Sequence, residues 1–206
     1  MAQWQLARPQ RLALHHVDAI LDATSRLVLE KGVRSATVDA IARRSGAPVG
    51  SLYHRFGSCD RLLVEMWVRA VRCSQAAFVT AVRHEDPEQA AVNAALSILE
   101  FVQCHPDDAR LLVSFRREDL IRTAPSPRLA RDLKQLNRPL EAAVTELTRR
   151  LLGRASAETI EQTVFAVIDI PMGAIRRHLI AGKVVPSVLP VLVEAAVRSS
   201  FRRGRS

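Results

Sequence analysis

The stretch Thr37-Val-Asp-Ala-Ile-Ala-Arg-Arg-Ser-Gly46, continued by Ala-Pro-Val-Gly-Ser-Leu-Tyr-His-Arg-Phe56, decides how the whole sequence is read. Thr37 is a good helix N-cap, and Asp39 puts a carboxylate in the first turn, where the helix dipole favours it. Ile41 and Ala42 form the inward side of this short helix. Gly46 closes it, because glycine takes a left-handed conformation without a steric cost. After a turn at Ala47-Pro48, a second short helix begins near Val49 and carries Gly50, Ser51, Leu52, Tyr53, His54 and Arg55. The small residues Ala42 and Gly50 predict a close crossing of the two helices. Two short helices joined by a tight glycine-containing turn make a helix-turn-helix, the unit that lays a recognition helix in the DNA major groove.

Working outward, helical spacing runs through nearly all of the chain. Val17, Ile20, Leu21, Thr24, Leu27 and Val28 mark a helix before the motif, with Gly32 as its stop. Leu62, Leu63, Met66, Trp67, Ala70, Val71, Ala77, Phe78 and Val82 mark a long one after it, ending near His84. Pro87 starts the next, with Ala91, Ala94, Ile98, Phe101 and Val102 on one face. Asp107 or Asp108 caps a short helix reaching Phe115, and the turn formers of Thr123–Pro127 predict a loop. The near-heptad series Leu129, Leu133, Leu136, Leu140, Val144, Leu147, Leu151 predicts one helix that stops at Gly153. Ser156 and Thr159 open another, apolar on most sides from Ile160 to Ile180 and ended by Gly182. Residues 186–201 form the last, again apolar nearly all round.

The predicted fold class is all-α, with about nine helices: an N-terminal three-helix helix-turn-helix DNA-binding domain and a C-terminal helical ligand-binding and dimerisation domain. The domains read as a basic, unstructured tail at 1–14, the helix-turn-helix domain at 15–60, the effector-binding and dimerisation domain at 61–202, and a basic tail at 203–206. A helix apolar on all sides must be covered on more than one. Two of them at the end of a chain predict a homodimer through the helices at about 158–181 and 186–201, a four-helix bundle on a two-fold axis.

Charge is unevenly placed. Residues 1–72 hold eleven Lys/Arg against six Asp/Glu, residues 73–197 hold fifteen of each, and Arg198, Arg202, Arg203 and Arg205 close the chain. A basic end on a neutral body suits docking on a polyanion. Cys59, Cys73 and Cys104 are odd in number and far apart, which predicts a reduced, cytoplasmic protein with no metal site. No run approaches the length of a membrane span. No nucleophile–base set, phosphate loop or dinucleotide glycine pattern is present, so the chain reads as no enzyme and as needing no cofactor.

On these residues the sequence resembles the TetR family of transcriptional regulators. The Gly-Ser-Leu-Tyr-x-x-Phe core, its distance from Thr-x-x-x-Ile-Ala, and the following Cys59-Asp-Arg-Leu-Leu63 carry the resemblance, in detail over about residues 17–72. It implies a one-component regulator, a repressor by default, that binds a pseudo-palindromic operator in double-stranded DNA as a homodimer and is released by a small-molecule effector. The rival reading of the basic charge is a nucleoid-type protein that binds DNA without sequence preference. By resemblance Thr37 and Tyr53 contact phosphates, Val49 and Ser51 read base edges, and Gly50 admits the DNA backbone. His54, Arg55 and one of Arg43 and Arg44 complete the DNA-binding set, Arg43 being the choice. Two positions depart from the family pattern: Cys59 stands where a basic residue is common, and Arg55 where histidine is. Cys59 therefore weakens one phosphate clamp, which Arg55 and Arg61 could restore. It also reads either as a small packing residue or as a thiol sensor. In the body, Phe101, Cys104, Leu112, Phe115, Arg116, Asp169, Met172 and Arg176 are the expected effector contacts. Asp169, set among apolar residues, is expected to be buried with a partner, either an arginine such as Arg116 or Arg176 or a cationic or hydrogen-bonding effector. Pro171 is expected to disturb its helix.

Overall fold

A computed structural model describes residues 8–116, 119 and 127–202. Among them no strand occurs, and the helices follow in the order α1 (Arg8–Lys31), α2 (Val38–Ser45), α3 (Val49–Phe56), α4 (Cys59–Ala81), α5 (Pro87–Cys104), α6 (Pro106–Ser114), α7 (Pro127–Gln135), α8 (Arg138–Leu152), α9 (Ala157–Val164), α10 (Ile170–Ile180) and α11 (Leu189–Arg202). A π-helical turn, Phe165–Asp169, joins α9 to α10. The all-α class is as expected. The chain divides into two compact units: one reaches Arg69 and takes in Phe115, the other holds Ala70–Ser114 and the chain from α7 onward. The division falls inside the unbroken helix α4.

In the first unit α1 ends at Lys31, where the Gly32 amide still reaches Val28 O at 2.9 Å. Ile20, Leu27, Val28, Ile41, Leu52, Phe56, Leu62, Leu63 and Met66 are buried together as its core. Polar ties fix the helices at the rim. Arg44 takes both carboxylate oxygens of Glu30 at 2.7 and 2.5 Å, joining α2 to α1. Arg69 donates to Asp22 Oδ1 at 2.6 Å and to Asp18 O at 3.2 Å, joining α4 to α1. Helix α1 begins at Arg8, well before the expected boundary, because Pro9 is tolerated in a first turn and stops nothing. Residues 1–7 and 203–206, expected as basic tails, lie outside the described residues, as does the Thr123–Pro127 loop up to Pro127 itself.

In the second unit the central helix is α5. Ala90, Ala91, Val92, Ala94, Ala95, Leu99, Phe101 and Val102 are all buried, and α11, α10, the π turn, α8 and α6 pack around them. The sequence reading gave α5 a single inward face. Four alanines let neighbours approach from several sides, so a helix with few large side chains is nonetheless enclosed. Asp86 caps it by accepting from Glu88 N at 3.1 Å, with Pro87 in the first turn. The short helix α6 starts at Pro106, so Asp107 and Asp108 lie in its first turn rather than at its cap.

The leucine series does not make one helix. It is split between α7 and α8 at Leu136-Asn137, because Pro139 has no amide to continue the ladder and its ring would meet the carbonyl four residues back, whereas it is tolerated in the first turn of a new helix. The expected capping of α9 is present: Ser156 Oγ accepts from Thr159 N and Thr159 Oγ1 from Ser156 N. The last helix starts at Leu189, three residues after Pro186. Large apolar side chains of the last helices face outward, with Phe165 56 %, Ile180 58 %, Val191 68 % and Leu192 54 % exposed.

Candidate DNA-reading face and effector cavity

Helix α3 is amphipathic over two turns. Leu52 and Phe56, four residues apart, are almost fully buried, and each anchors the helix by about 1.5–3 kcal/mol of apolar burial. The other side presents Val49, Gly50, Ser51, Tyr53, His54 and Arg55, all exposed, Tyr53 by 54 %. Every α3 residue expected at the DNA is thus on the free face. Gly46 sits at φ 73 between α2 and α3, as the turn requires. Gly50 does not serve a close crossing: a Cβ there would meet nothing within 4 Å, so its smallness matters only towards an outside partner.

Thr37 caps α2 by accepting from Ala40 N at 3.2 Å, which leaves the hydroxyl proton of this exposed side chain for an outside acceptor. The two arginines of α2 separate in role. Arg44 is committed to Glu30, and its guanidinium holds that carboxyl below the usual range, chiefly through their hydrogen bond. Arg43 is exposed beside it. Arg61, a candidate to replace the missing clamp, is bound to Glu65 at 2.9 Å. The Cys59 thiol, half-buried, donates to Ala36 O at 3.0 Å and ties the start of α4 to the segment before α2.

The second unit contains a cavity of about 180 Å³. Ser74, Gln75 and Phe78 of α4 line it with Ile98, Phe101 and Val102 of α5 and Ala109, Leu112 and Val113 of α6. Leu140, Ile168, Met172, Ile175 and Leu179 complete the wall. Only Ser74 and Gln75 are polar. Ser74 Oγ donates to Val71 O at 2.8 Å, and Gln75 Nε2 to Asn137 Oδ1 at 3.0 Å. Phe101 is stacked on His105 with ring centres 5.4 Å apart.

Of the expected effector contacts, Phe101, Leu112 and Met172 line the cavity. Cys104, Arg116, Asp169 and Arg176 are exposed and do not, and Phe115 and Arg116 fall in the first unit. Asp169 lies on an outward stripe with Phe165, so its apolar neighbours in sequence did not imply burial. The α4 contribution was missed. Its signal was a polar pair, Ser74-Gln75, interrupting the apolar stripe of Ala70, Val71 and Phe78. Pro171 disturbs its helix as expected: the preceding turn widens, and Ile170 N bonds Phe165 O five residues back. Among the described residues no group of three or more His, Cys, Asp or Glu could hold a metal ion, and no helix is long and apolar enough to cross a membrane.

Among the described residues the chain is helical, with a short amphipathic helix exposed in one unit and an apolar cavity in the other. Residues 20–66 match the sequence model of the bacterial regulatory proteins of the tetR family. Among curated proteins none matches the sequence. The fold is similar along nearly the whole chain to the TetR family regulator PfmR of Thermus thermophilus, with a TM-score of 0.68 at 19% identity over 91% of this chain and 98% of that one. It is similar to a TetR family regulator of Marinobacter aquaeolei, with a TM-score of 0.69 at 16% identity over 93% and 97%. It is also similar to the regulator FadR of Bacillus subtilis, solved in complex with stearoyl-CoA, with a TM-score of 0.66 at 11% identity over 89% and 97%. Residues 20–66 thus match the tetR family's sequence model, and the chain as a whole has the fold of the TetR family regulators.

Proposed function

We propose that the protein is a repressor that binds a pseudo-palindromic operator as a homodimer and leaves it when a largely apolar small molecule fills the cavity of the second unit. The observation that carries this is the cavity itself: twelve of its fourteen lining side chains are apolar, and both polar ones already hold protein partners. A solute rich in hydrocarbon gains from such a site, whereas a hydrophilic one loses its hydration without compensation. The FadR neighbour described with stearoyl-CoA supports an effector with a hydrocarbon part. Helix α4 offers the coupling element, since one unbroken helix supplies Ser74, Gln75 and Phe78 to the cavity and Leu62, Leu63 and Met66 to the core of the first unit. An effector shifts the equilibrium only as far as it prefers the DNA-incompetent arrangement.

On the DNA side, Val49 and Ser51 read bases, Thr37 and Tyr53 hold phosphates, and Arg43, His54 and Arg55 add contacts around them. The dimer forms through the outward apolar surface of α10 and α11 and the π turn. The test is selection of binding sites from a random pool, followed by titration of the best site against scrambled DNA at physiological salt. The reading expects a palindromic consensus with half-sites about one helical turn apart and a specific-to-nonspecific ratio of at least ~10³. A ratio near one would overturn it.

A further inference from the structure

The cavity holds no charge, and its two polar side chains sit together on α4. One of them, Gln75, also lines a second space: an open groove of about 610 Å³ between α4 and the α7–α8 junction, walled by Arg72, Ala76, Val79, Gln135, Leu136 and Pro139. Arg72, Gln75, Ala76 and Val79 are spaced i, i+3, i+4 and i+7, one face of α4. Arg72 is the one charged residue lining the groove, is exposed, and stands one helical turn from Gln75. The Gln75–Asn137 hydrogen bond, 3.0 Å long, thus lies where an apolar cavity without charge meets a more open groove with a single cation.

We infer that the effector is an anionic amphiphile with one alkyl chain. The chain occupies the cavity, the acidic head stays in the groove on the Arg72 guanidinium, and the ligand passes between them by displacing the Gln75–Asn137 bond. This rests on the reading of the cavity as the effector site and adds the class of ligand. An ionised head inside the cavity would be buried without a partner, which its chemistry forbids. In the groove it keeps water on one side and gains a charge-assisted, bidentate contact on the other. A free fatty acid and an acyl thioester share this chemistry.

The test is calorimetric titration of the full-length protein with decanoate, decanoyl-CoA and decanol, each below its micelle concentration. The variants are Arg72→Gln and the cavity-filling Leu112→Trp. The expected result is that decanoate binds at least about tenfold more tightly than decanol, and that Arg72→Gln weakens decanoate about tenfold while leaving decanol unchanged. Unchanged decanol binding also shows that the variant is folded. Tighter binding of decanoyl-CoA, with the same dependence on Arg72, identifies the thioester as the source. Tighter binding of decanoate identifies the free acid. Equal binding of decanoate and decanol, or an Arg72→Gln effect that is absent or shared by both, overturns the head assignment. If Leu112→Trp still abolishes both in that case, the cavity reading survives without it. If none of the three ligands binds, or Leu112→Trp leaves their binding intact, the cavity reading falls and the assignment falls with it.

Discussion

Replacing Arg150 by methionine removes a guanidinium that closes the loop between α4 and α5. In the structure it donates to Val82 O and Glu85 O, each at 2.8 Å, and to His84 O between them. Methionine keeps most of the aliphatic stem and takes away only the donors. Val82 O is part-buried and loses its partner, at a cost of about 1–3 kcal/mol, whereas His84 O and Glu85 O are exposed and exchange the arginine for water at about 0.5 kcal/mol each. The expected destabilisation is therefore about 2–4 kcal/mol. At a urea slope of about 2 kcal/mol/M, this moves the unfolding midpoint down by about 1–2 M.

The neighbouring Arg149 provides the control. It pairs with Glu146 at 3.1 Å, with side chains 58% and 61% exposed, and an exposed pair of this kind contributes about 0–1 kcal/mol. Urea unfolding followed by circular dichroism, with both variants at one protein concentration because the midpoint of the proposed dimer would depend on it, compares Arg150→Met with Arg149→Met. Equal midpoints for the two would refute the reasoning, since the charge removed and the helix are the same and the exposed Glu146 pair weighs less than the three carbonyls. The loop joins the helices that bring Phe78 and Phe101 to the cavity, so loss of the clamp should also weaken ligand binding there.

Tyr53→Phe should weaken binding to all DNA sequences alike, whereas Ser51→Ala should change the consensus recovered from a random pool; an unchanged consensus would remove Ser51 from base reading. The Glu30 carboxyl is held below its ordinary value by Arg44, so the stability it contributes is full above the ordinary carboxylate pKa and is lost as pH falls through the lowered value. Urea midpoints measured from about pH 6 down to about pH 3 should therefore fall less steeply for Glu30→Gln, and parallel curves would count against this. Val191→Glu combined with Leu192→Glu should turn a dimer into a monomer in sedimentation, because both side chains are more than half exposed on α11; a persisting dimer would place the interface elsewhere.

The reading head was legible in the sequence because its determinants are local. Thr37, Gly46, Leu52 and Phe56 act within a few residues of themselves, as a cap, a left-handed turn and an inward pair. The cavity was legible only in part because its wall is assembled from separate segments between Ser74 and Leu179, brought together by packing that no local pattern encodes. Met172 and Leu112 were found because large apolar residues on any helix of the body were plausible candidates. Asp169 was misplaced because a mainly apolar neighbourhood in sequence was read as burial on every side. The break at Asn137 shows the same limit: the leucine spacing continues through it, and the single residue that forbids a continuous helix is Pro139.

The π turn before Pro171 explains how one segment faces two ways. A regular helix would ask Pro171 for an amide it lacks and drive its ring against the carbonyl of Val167. Widening the turn removes that collision, and Ile170 N finds Phe165 O instead. Ile168, Met172, Ile175 and Leu179 then line the cavity, while Phe165, Asp169 and Ile180 face outward on the surface assigned to the second copy. Wide turns of this kind are rare and are frequently found at functional sites. On the proposed reading, a ligand pressing on Ile168 acts on a turn that also carries Phe165, so cavity and dimer surface need no further element to communicate.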